Sequence, residues 1–361
     1  MSFMANQNIA TNEEDSFLFA LQLSSALVLP VAMQVAIELD VFEIIAKAGP
    51  DAQLSSKHIA SYLPTTNENV ADMLDRILRL LTSYSVLTSS LVTHDNGLVE
   101  RLYGLAPVCK YFIQNVDGVS LSPLLLLNQD KVYTESWYHF KDAVLEGGSP
   151  FMKAHGMHTF DYLERDPRAN QVFNRAMFNQ TTIFVTKLLE IYKGFEDCQK
   201  IVDVGGGFGI TLSQITTKYP TIKGINFDLP HVIEHAPFYP GVEHVGGNMF
   251  DSVPNGETIF MKGILHDWND ESCTKLLKNC YKALPDNGKL IVVEAILPVE
   301  AETNTAAKAL CQFDICMMSY CPEGKERTKE EFVALAKGAG FASMEQVCSV
   351  YDCWVMEFYK R

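Results

Sequence analysis

The run Ile201-Val202-Asp203-Val204-Gly205-Gly206-Gly207-Phe208-Gly209 constrains this chain more than any other stretch. An apolar strand enters a glycine-rich turn, and a helical pattern, GITLSQITTKY, follows. Glycine serves where backbone must turn sharply and approach a ligand with no Cβ in the way. Strand, glycine turn and helix in that order read as a nucleoside-binding unit of a parallel α/β sheet. The glycines are spaced G-x-G-x-G, at Gly205, Gly207 and Gly209, rather than as the G-x-G-x-x-G of dinucleotide sites. Asp228 ends the next apolar run, KGINF. A carboxylate there can accept both hydroxyls of an adenosine ribose. With no pyrophosphate cradle in the spacing, the pattern favours S-adenosylmethionine over a nicotinamide cofactor.

The rest of the second half repeats the rhythm. The runs KIVDV, KGINF, TIFMKGIL and KLIVVEAIL alternate with helical patterns such as ESCTKLLKNCYKAL, and FYPGVEHVGG is a weaker edge strand. This predicts a doubly wound, mostly parallel, Rossmann-like α/β sheet. The first half differs. Residues 17–48 are apolar at helical spacing with few charges, so these helices are buried in a core or against another subunit. Pro30 is expected to separate two helices, and Gly49-Pro50 to stop the second. Two short helical units, SSKHIASYL and ENVADMLDRILRLLTSY, precede SVLTSSLVTHDNGLVERLYGLAP, which alternates like a hairpin turning at Asp95-Asn96-Gly97. Helix, helix, hairpin is the outline of a winged helix. Residues 108–195 read as helices, interrupted by Gly147-Gly148-Ser149-Pro150. The expected division is an N-terminal winged-helix-like unit over 1–120 and a catalytic domain over 121–361, helical in 121–195 and Rossmann-like in 196–361.

Charge narrows the function classes. With 29 basic and 44 acidic side chains the formal net charge is −15, which repels phosphate backbones and anionic membranes. Asp72, Asp75, Arg76 and Arg79 on the second winged-helix unit sum to zero, whereas a DNA reader clusters lysine and arginine on that face. A nucleic-acid binder is therefore the weakest reading. Nine cysteines, with no C-x-x-C pair, read as free thiols of a reducing compartment. Residues 1–15 lack the basic and apolar regions of a leader, and the tract over 26–37 is too short to span a bilayer. The expectation is a cytoplasmic protein with neither membrane nor nucleic-acid partner.

The run TIFMKGIL, read as one strand, leads into His266-Asp267-Trp268. Ligand crevices of open α/β sheets lie beyond the carboxyl ends of the strands. The neighbouring strand, KLIVV, runs into Glu294, and a third acid, Glu326, sits in the loop PEGKERT. Such a group suits removal of a proton from a phenol. The phenol, with pKa ~10, is protonated at neutral pH, and a histidine near ~6.5 can accept its proton. A carboxylate on the other ring N–H fixes the tautomer. A sulfonium methyl donor is already positively charged, so no metal is required. The competing reading is a surface histidine at a helix start with two solvated acids. No H-E-x-x-H, Walker loop or G-x-S-x-G occurs.

Taken together, IVDVGGGFG, GINFDLPHVI, GVEHVGGNMF, IFMKGILHDWND, LLKNCYKALPDNGKLIVVEAILP and GKERTKEEFVALAKGAGF resemble the plant caffeic acid/catechol-type O-methyltransferases over nearly the whole chain. LYGLAPVCKYF and ESWYHFKDAVLEGG follow the same pattern. That class is metal-independent and S-adenosylmethionine-dependent, releasing S-adenosylhomocysteine. The resemblance implies that the N-terminal region is a dimerisation domain, that the chain forms a homodimer, and that the substrate is a small aromatic phenol. It puts the catalytic base on His266, flanked by Glu294 and Glu326. It puts cofactor contacts on Gly205, Asp228, Asn248, Met249 and Lys262. It puts the phenol pocket on Asn128, Leu163, Phe173, Met177, Gln180, Phe313, Met317 and Cys321.

Several of these positions depart from the family pattern. Asn248 stands for an Asp, Gly263 for a Trp and Phe208 for a Thr near the cofactor. Leu163 and Gln180 stand for histidines, Ala169 for a Phe, Phe313 for an Ile, Cys321 for an Asn and Tyr133 for a Leu. The expectation is a phenol bulkier than caffeate: a lignan, flavonoid or alkaloid. The runner-up is a weakly active member that serves as heterodimer partner of another O-methyltransferase.

Overall fold

The computed structural model describes residues 12–321, 323–351 and 353–361. Most of the segment read as lacking a leader therefore lies outside the described residues. Two compact units emerge: Met1–Asp130 with Val172–Gln180, and Lys131–Gln171 with Thr181–Arg361.

The first unit holds a three-stranded antiparallel sheet in the order β1 (Leu54–Ser55), β3 (Val99–Leu105), β2 (Leu87–Thr93). β2 and β3 form the expected hairpin. Gly97 takes φ +80°, and the amide of Leu98 donates to Asn96 Oδ1. The preceding helix Val70–Ser83 buries Leu74, Leu78 and Leu81 at i, i+4, i+7 spacing. Its Asp75 is turned inward: it accepts from Arg101 at 3.0 Å and from the Tyr103 hydroxyl at 2.6 Å.

The apolar N-terminal region departs from the expected two helices. Three form: Glu13–Ser24, Val28–Glu38 and Val41–Lys47. Pro30 lies inside the first turn of the second, where a missing N–H costs nothing, so it does not mark the break. The second break falls at Asp40, in a left-handed conformation at φ +53°. Helix Glu13–Ser24 has no buried residue: Phe17 is 63% and Leu23 60% exposed. A core role is thereby excluded for it in the single chain. Among the described residues no single helix is long and apolar enough to cross a membrane. The first two helices pass that length and composition test only together, and they are bent by 51°.

The second unit is built on a seven-stranded sheet: β6 (Val242–Gly246), β5 (Lys223–Asp228), β4 (Lys200–Val204), β7 (Thr258–Lys262), β8 (Lys289–Ala295), β10 (Cys353–Tyr359), β9 (Ser343–Val350). β4 to β8 are parallel, and β4, β5, β7 and β8 are buried on both faces, as the continuous apolar runs of parallel strands are. β6 is the edge, as FYPGVEHVGG suggested. The antiparallel hairpin of β9 and β10 completes the other side, β10 pairing with β8. Ahead of the sheet lies the helical stretch, broken where expected: Gly147 and Gly148 take φ +81° and +83°, Ser149 caps the next helix and Pro150 opens it.

Candidate active site

β4 ends at Val204 and the glycine turn begins. Gly205 takes φ +72°, a backbone conformation that favours glycine, and a Cβ there would lie 2.3 Å from the Cδ1 tip of Ile264, which would have to move. A Cβ on Gly207, at φ +57°, would meet nothing within 4 Å, so the turn is open there. Asp228, half-buried at the end of β5, accepts from the Gly207 amide at 2.8 Å and from the Leu229 amide at 2.7 Å. It ties the glycine turn to its neighbour strand, and each oxygen retains a lone pair. Burial pushes its carboxyl up, against those two amides. An open glycine turn with a carboxylate at the adjoining strand end fits a nucleoside.

Beneath the turn, Asp203 is buried and its Oδ2 has no hydrogen-bond partner, nor has Asn226 Oδ1. Both oxygens face the place where a Cβ on Gly206 would stand. Burial raises Asp203 to about 7, with Lys262 opposing and Asp228 adding. Lys262 ends β7, its ammonium 5.6 Å from the ring centre of Phe184. Asn248 is exposed, and its Oδ1 accepts the Phe250 amide at 2.9 Å. Met249 lies against the core, its carbonyl accepting from Asn279 at 2.9 Å.

The run TIFMKGIL is not one strand. β7 stops at Lys262, Gly263 turns the chain at φ +62°, and Leu265–Asp267 form a short 3-10 turn that carries His266. His266 Nδ1 lies 2.8 Å from Glu326 Oε1 and 3.8 Å from Glu294 Oε2. The competing picture of solvated acids fails: Glu294 is 1% and Glu326 5% exposed. Glu294 Oε1 also accepts the amides of Ile264 at 2.9 Å and Leu265 at 2.6 Å, fixing the turn to β8. On the other ring edge, Asp267 Oδ1 lies 3.8 Å from Nε2 and accepts the Cys321 thiol at 3.1 Å. Burial works against the imidazolium, but Glu294, Asp267 and Glu326 outweigh it and push His266 up to about 10. Burial raises the carboxyls of Glu294 and Asp267, His266 opposing in each.

Three supporting residues escaped the sequence reading. Arg327, fully buried, donates to the carbonyls of Leu265 at 2.6 Å and Trp268 at 2.7 Å, and to Asp270 at 2.8 Å. Asp314 accepts the Glu326 amide at 2.9 Å, orienting that loop. Asp267 faces Nε2. A charged run such as GKERTK looks solvated, and nothing local tells that its arginine is inside.

Of the residues expected to line the phenol pocket, Leu163 and Cys321 are buried in the second unit. Phe313 and Met317 lie half-buried one turn apart on helix Thr305–Tyr320 of the same unit. Asn128, Phe173, Met177 and Gln180 belong to the first unit and are half-buried there.

Comparison with known proteins places this geometry. Residues 137–342 match the O-methyltransferase domain, and residues 21–115 the O-methyltransferase dimerisation domain. A caffeic acid 3-O-methyltransferase of Prunus dulcis is 60% identical over 350 residues, covering 97% of this chain and 96% of that protein. One from Capsicum annuum is 59% identical over 355 residues, covering 98% and 99%. The fold matches human N-acetylserotonin methyltransferase, solved in complex with SAM, at a TM-score of 0.80 and 20% identity, over 98% of this chain and 99% of that one. It matches LaPhzM at a TM-score of 0.75 and 27% identity, over 96% and 99%. With the site, both domains and the near-full-length relatives in agreement, this chain belongs to the caffeic acid-type O-methyltransferase family.

Proposed function

We propose that His266 is the general base with which this S-adenosylmethionine-dependent O-methyltransferase takes the proton from a phenolic hydroxyl of an aromatic plant metabolite. The observation that carries the reading is the 2.8 Å contact of His266 Nδ1 with Glu326. A carboxylate accepts, so Nδ1 holds the hydrogen and the neutral ring presents its lone pair at Nε2. Glu294 and Glu326 then stabilise the imidazolium that forms, as an orienting carboxylate does in other base-catalysed sites. The cofactor supplies a methyl group on a sulfonium when bound. Gly205, Asp228, Asn248, Met249 and Lys262 are the residues to hold it; Gly205 keeps side chains out of the turn, and Asp228 offers ribose hydroxyls its remaining lone pairs. For Asn248 the spare acceptor is the second lone pair of an oxygen already taken by Phe250.

The chain acts as a homodimer in this reading. The exposed apolar side chains of helix Glu13–Ser24 support it: a row of phenylalanines and leucines is covered only by another molecule. The compartment is cytoplasmic, in keeping with buried thiols such as Cys109, Cys273 and Cys280 that form no disulfide. The preferred phenol is larger than caffeate: a bulkier phenylpropanoid, lignan, flavonoid or alkaloid. Leu163 is apolar, and the Cys321 thiol is turned to Asp267 rather than offered to a ligand.

Two experiments test the reading. His266→Ala is expected to keep cofactor binding by calorimetry and to lose roughly 100-fold or more in methyl transfer; retention of a tenth of the rate overturns the assignment. A screen of phenols with methyl-labelled cofactor is expected to rank larger acceptors above caffeic acid; the reverse order refutes the pocket assignment.

A further inference from the structure

Glu294 and Glu326 each use one oxygen and leave the other idle. Oε1 of Glu294 is taken by the turn amides and Oε1 of Glu326 by the histidine. Oε2 of each is buried with no hydrogen-bond partner. These two acids and His266 present one ligand atom apiece, all within 4.8 Å of one another, and Nδ1 is the ring nitrogen that faces both acids. An imidazole nitrogen with two carboxylate oxygens is a donor set for zinc-type divalent ions; magnesium prefers hydrated, all-oxygen sites. A tetrahedral zinc with bonds near 2.0–2.2 Å spaces its ligand atoms by about 3.4 Å. The separations of Nδ1 from Glu326 Oε1, 2.8 Å, and from Glu294 Oε2, 3.8 Å, bracket that spacing, and the ion takes Oε1 of Glu326 from the Nδ1 hydrogen it replaces.

We propose that His266 Nδ1, Glu294 and Glu326 form an inhibitory site for a zinc-type divalent ion, which takes the place of the Nδ1 proton. Two carboxylates balance the charge of the ion. When the ring is neutral, its hydrogen moves from Nδ1 to Nε2 as the metal–nitrogen bond forms; when it is an imidazolium, the Nδ1 proton passes to solvent. Either way Nε2 ends with a hydrogen and no lone pair. Capture of the ion stands on the geometry alone, whereas the loss of activity rests on His266 being the base. The His266 side chain is 23% exposed, but those of Glu294 and Glu326 only 1% and 3%. The ion therefore reaches the acids only as the ring swings aside, and inhibition sets in slowly after mixing.

The test uses full-length enzyme stripped with chelator and dialysed against zinc chloride. The expected result is about one zinc per chain, a slow loss of turnover that EDTA reverses, and affinity lower by roughly tenfold or more in Glu326→Gln and Glu294→Gln. No stoichiometric zinc, or equal affinity in folded variants, overturns the site. Stoichiometric zinc with undiminished turnover upholds the site and overturns His266 as the base. Should a variant fail to fold, cobalt binding to the unaltered enzyme decides. Four-coordinate ligand-field bands without a thiolate-to-cobalt band are expected, and a thiolate band would show that cysteines hold the ion instead.

Discussion

Arg327 Nη1 donates to the carbonyl oxygen of Leu265 at 2.6 Å, so a guanidinium without solvent exposure holds the turn that carries His266. Its fork also reaches Trp268 and Asp270, four bonds from three nitrogens in all, which the three donors on lysine's single nitrogen cannot reproduce. Arg327→Lys is expected to cost about 2–3 kcal/mol in urea unfolding, the scale of lost hydrogen bonds to a charged group. Turnover is expected to fall more than cofactor affinity. A variant that unfolds and turns over like the parent would show that the turn needs no clamp.

The acids that orient His266 also hold its proton. Its folded value, pushed up to about 10, lies above the unfolded value near ~6.5, so this group's contribution to stability is complete below about pH 6.5 and is lost as pH rises through about 10. The base form follows the opposite course, so kcat/KM is expected to climb with pH across the neutral range. Glu326→Gln removes one of the charges favouring the imidazolium and is expected to move that limb to lower pH. An unmoved limb would assign the titration to another group.

Asp203 gives a second pH dependence, in stability. Its value of about 7 stands above ~3.9 for an unfolded aspartate, so its stabilising contribution is full below about pH 3.9 and disappears as pH rises through about 7. Asp203→Asn removes that loss and brings an amide N–H to a site where Asn226 Oδ1 lacks a partner. The variant's advantage over the parent is expected to grow with pH, to the order of 4 kcal/mol by pH 8. Denaturant titrations at pH 5 and pH 8 that give equal differences would refute this.

Gly205 and Gly207 separate steric from conformational need. Both have positive φ, yet only at Gly205 would a Cβ strike a neighbour. Gly207→Ala is expected to cost ~1–2 kcal/mol of backbone strain. Gly205→Ala also requires the Ile264 side chain to move off its Cδ1 position, for a further ~0.5–1.5 kcal/mol. Thermal melts and cofactor calorimetry should therefore rank Gly205→Ala below Gly207→Ala.

Local chemistry made much of this legible. Both-faces-apolar strands, the G-x-G-x-G turn and the hairpin at Asp95-Asn96-Gly97 each follow from neighbours in sequence, and adjacent strand ends bring Glu294 toward His266. What escaped depends on distant partners. The β9–β10 hairpin went unread because its alternation is weak outside the sheet. The end of β7 at Lys262 went unread because Gly263 looked like one more strand residue within an apolar run. Pro30 was misplaced because a proline looks the same at a helix break and in a first turn. Arg327 and Asp314 carry no motif; their roles appear only once the loop folds onto the turn.

β8, which carries Glu294, pairs with β10, and the register sets Trp354 opposite Glu294. Those two strands are far apart along the polypeptide, and β9 precedes β10 on the way back. Closing so long a loop is slow, so the strand bearing the acid gains its second neighbour late in refolding. Enzymatic competence should consequently recover after bulk secondary structure does, a lag that activity and circular dichroism followed on the same refolding sample would show.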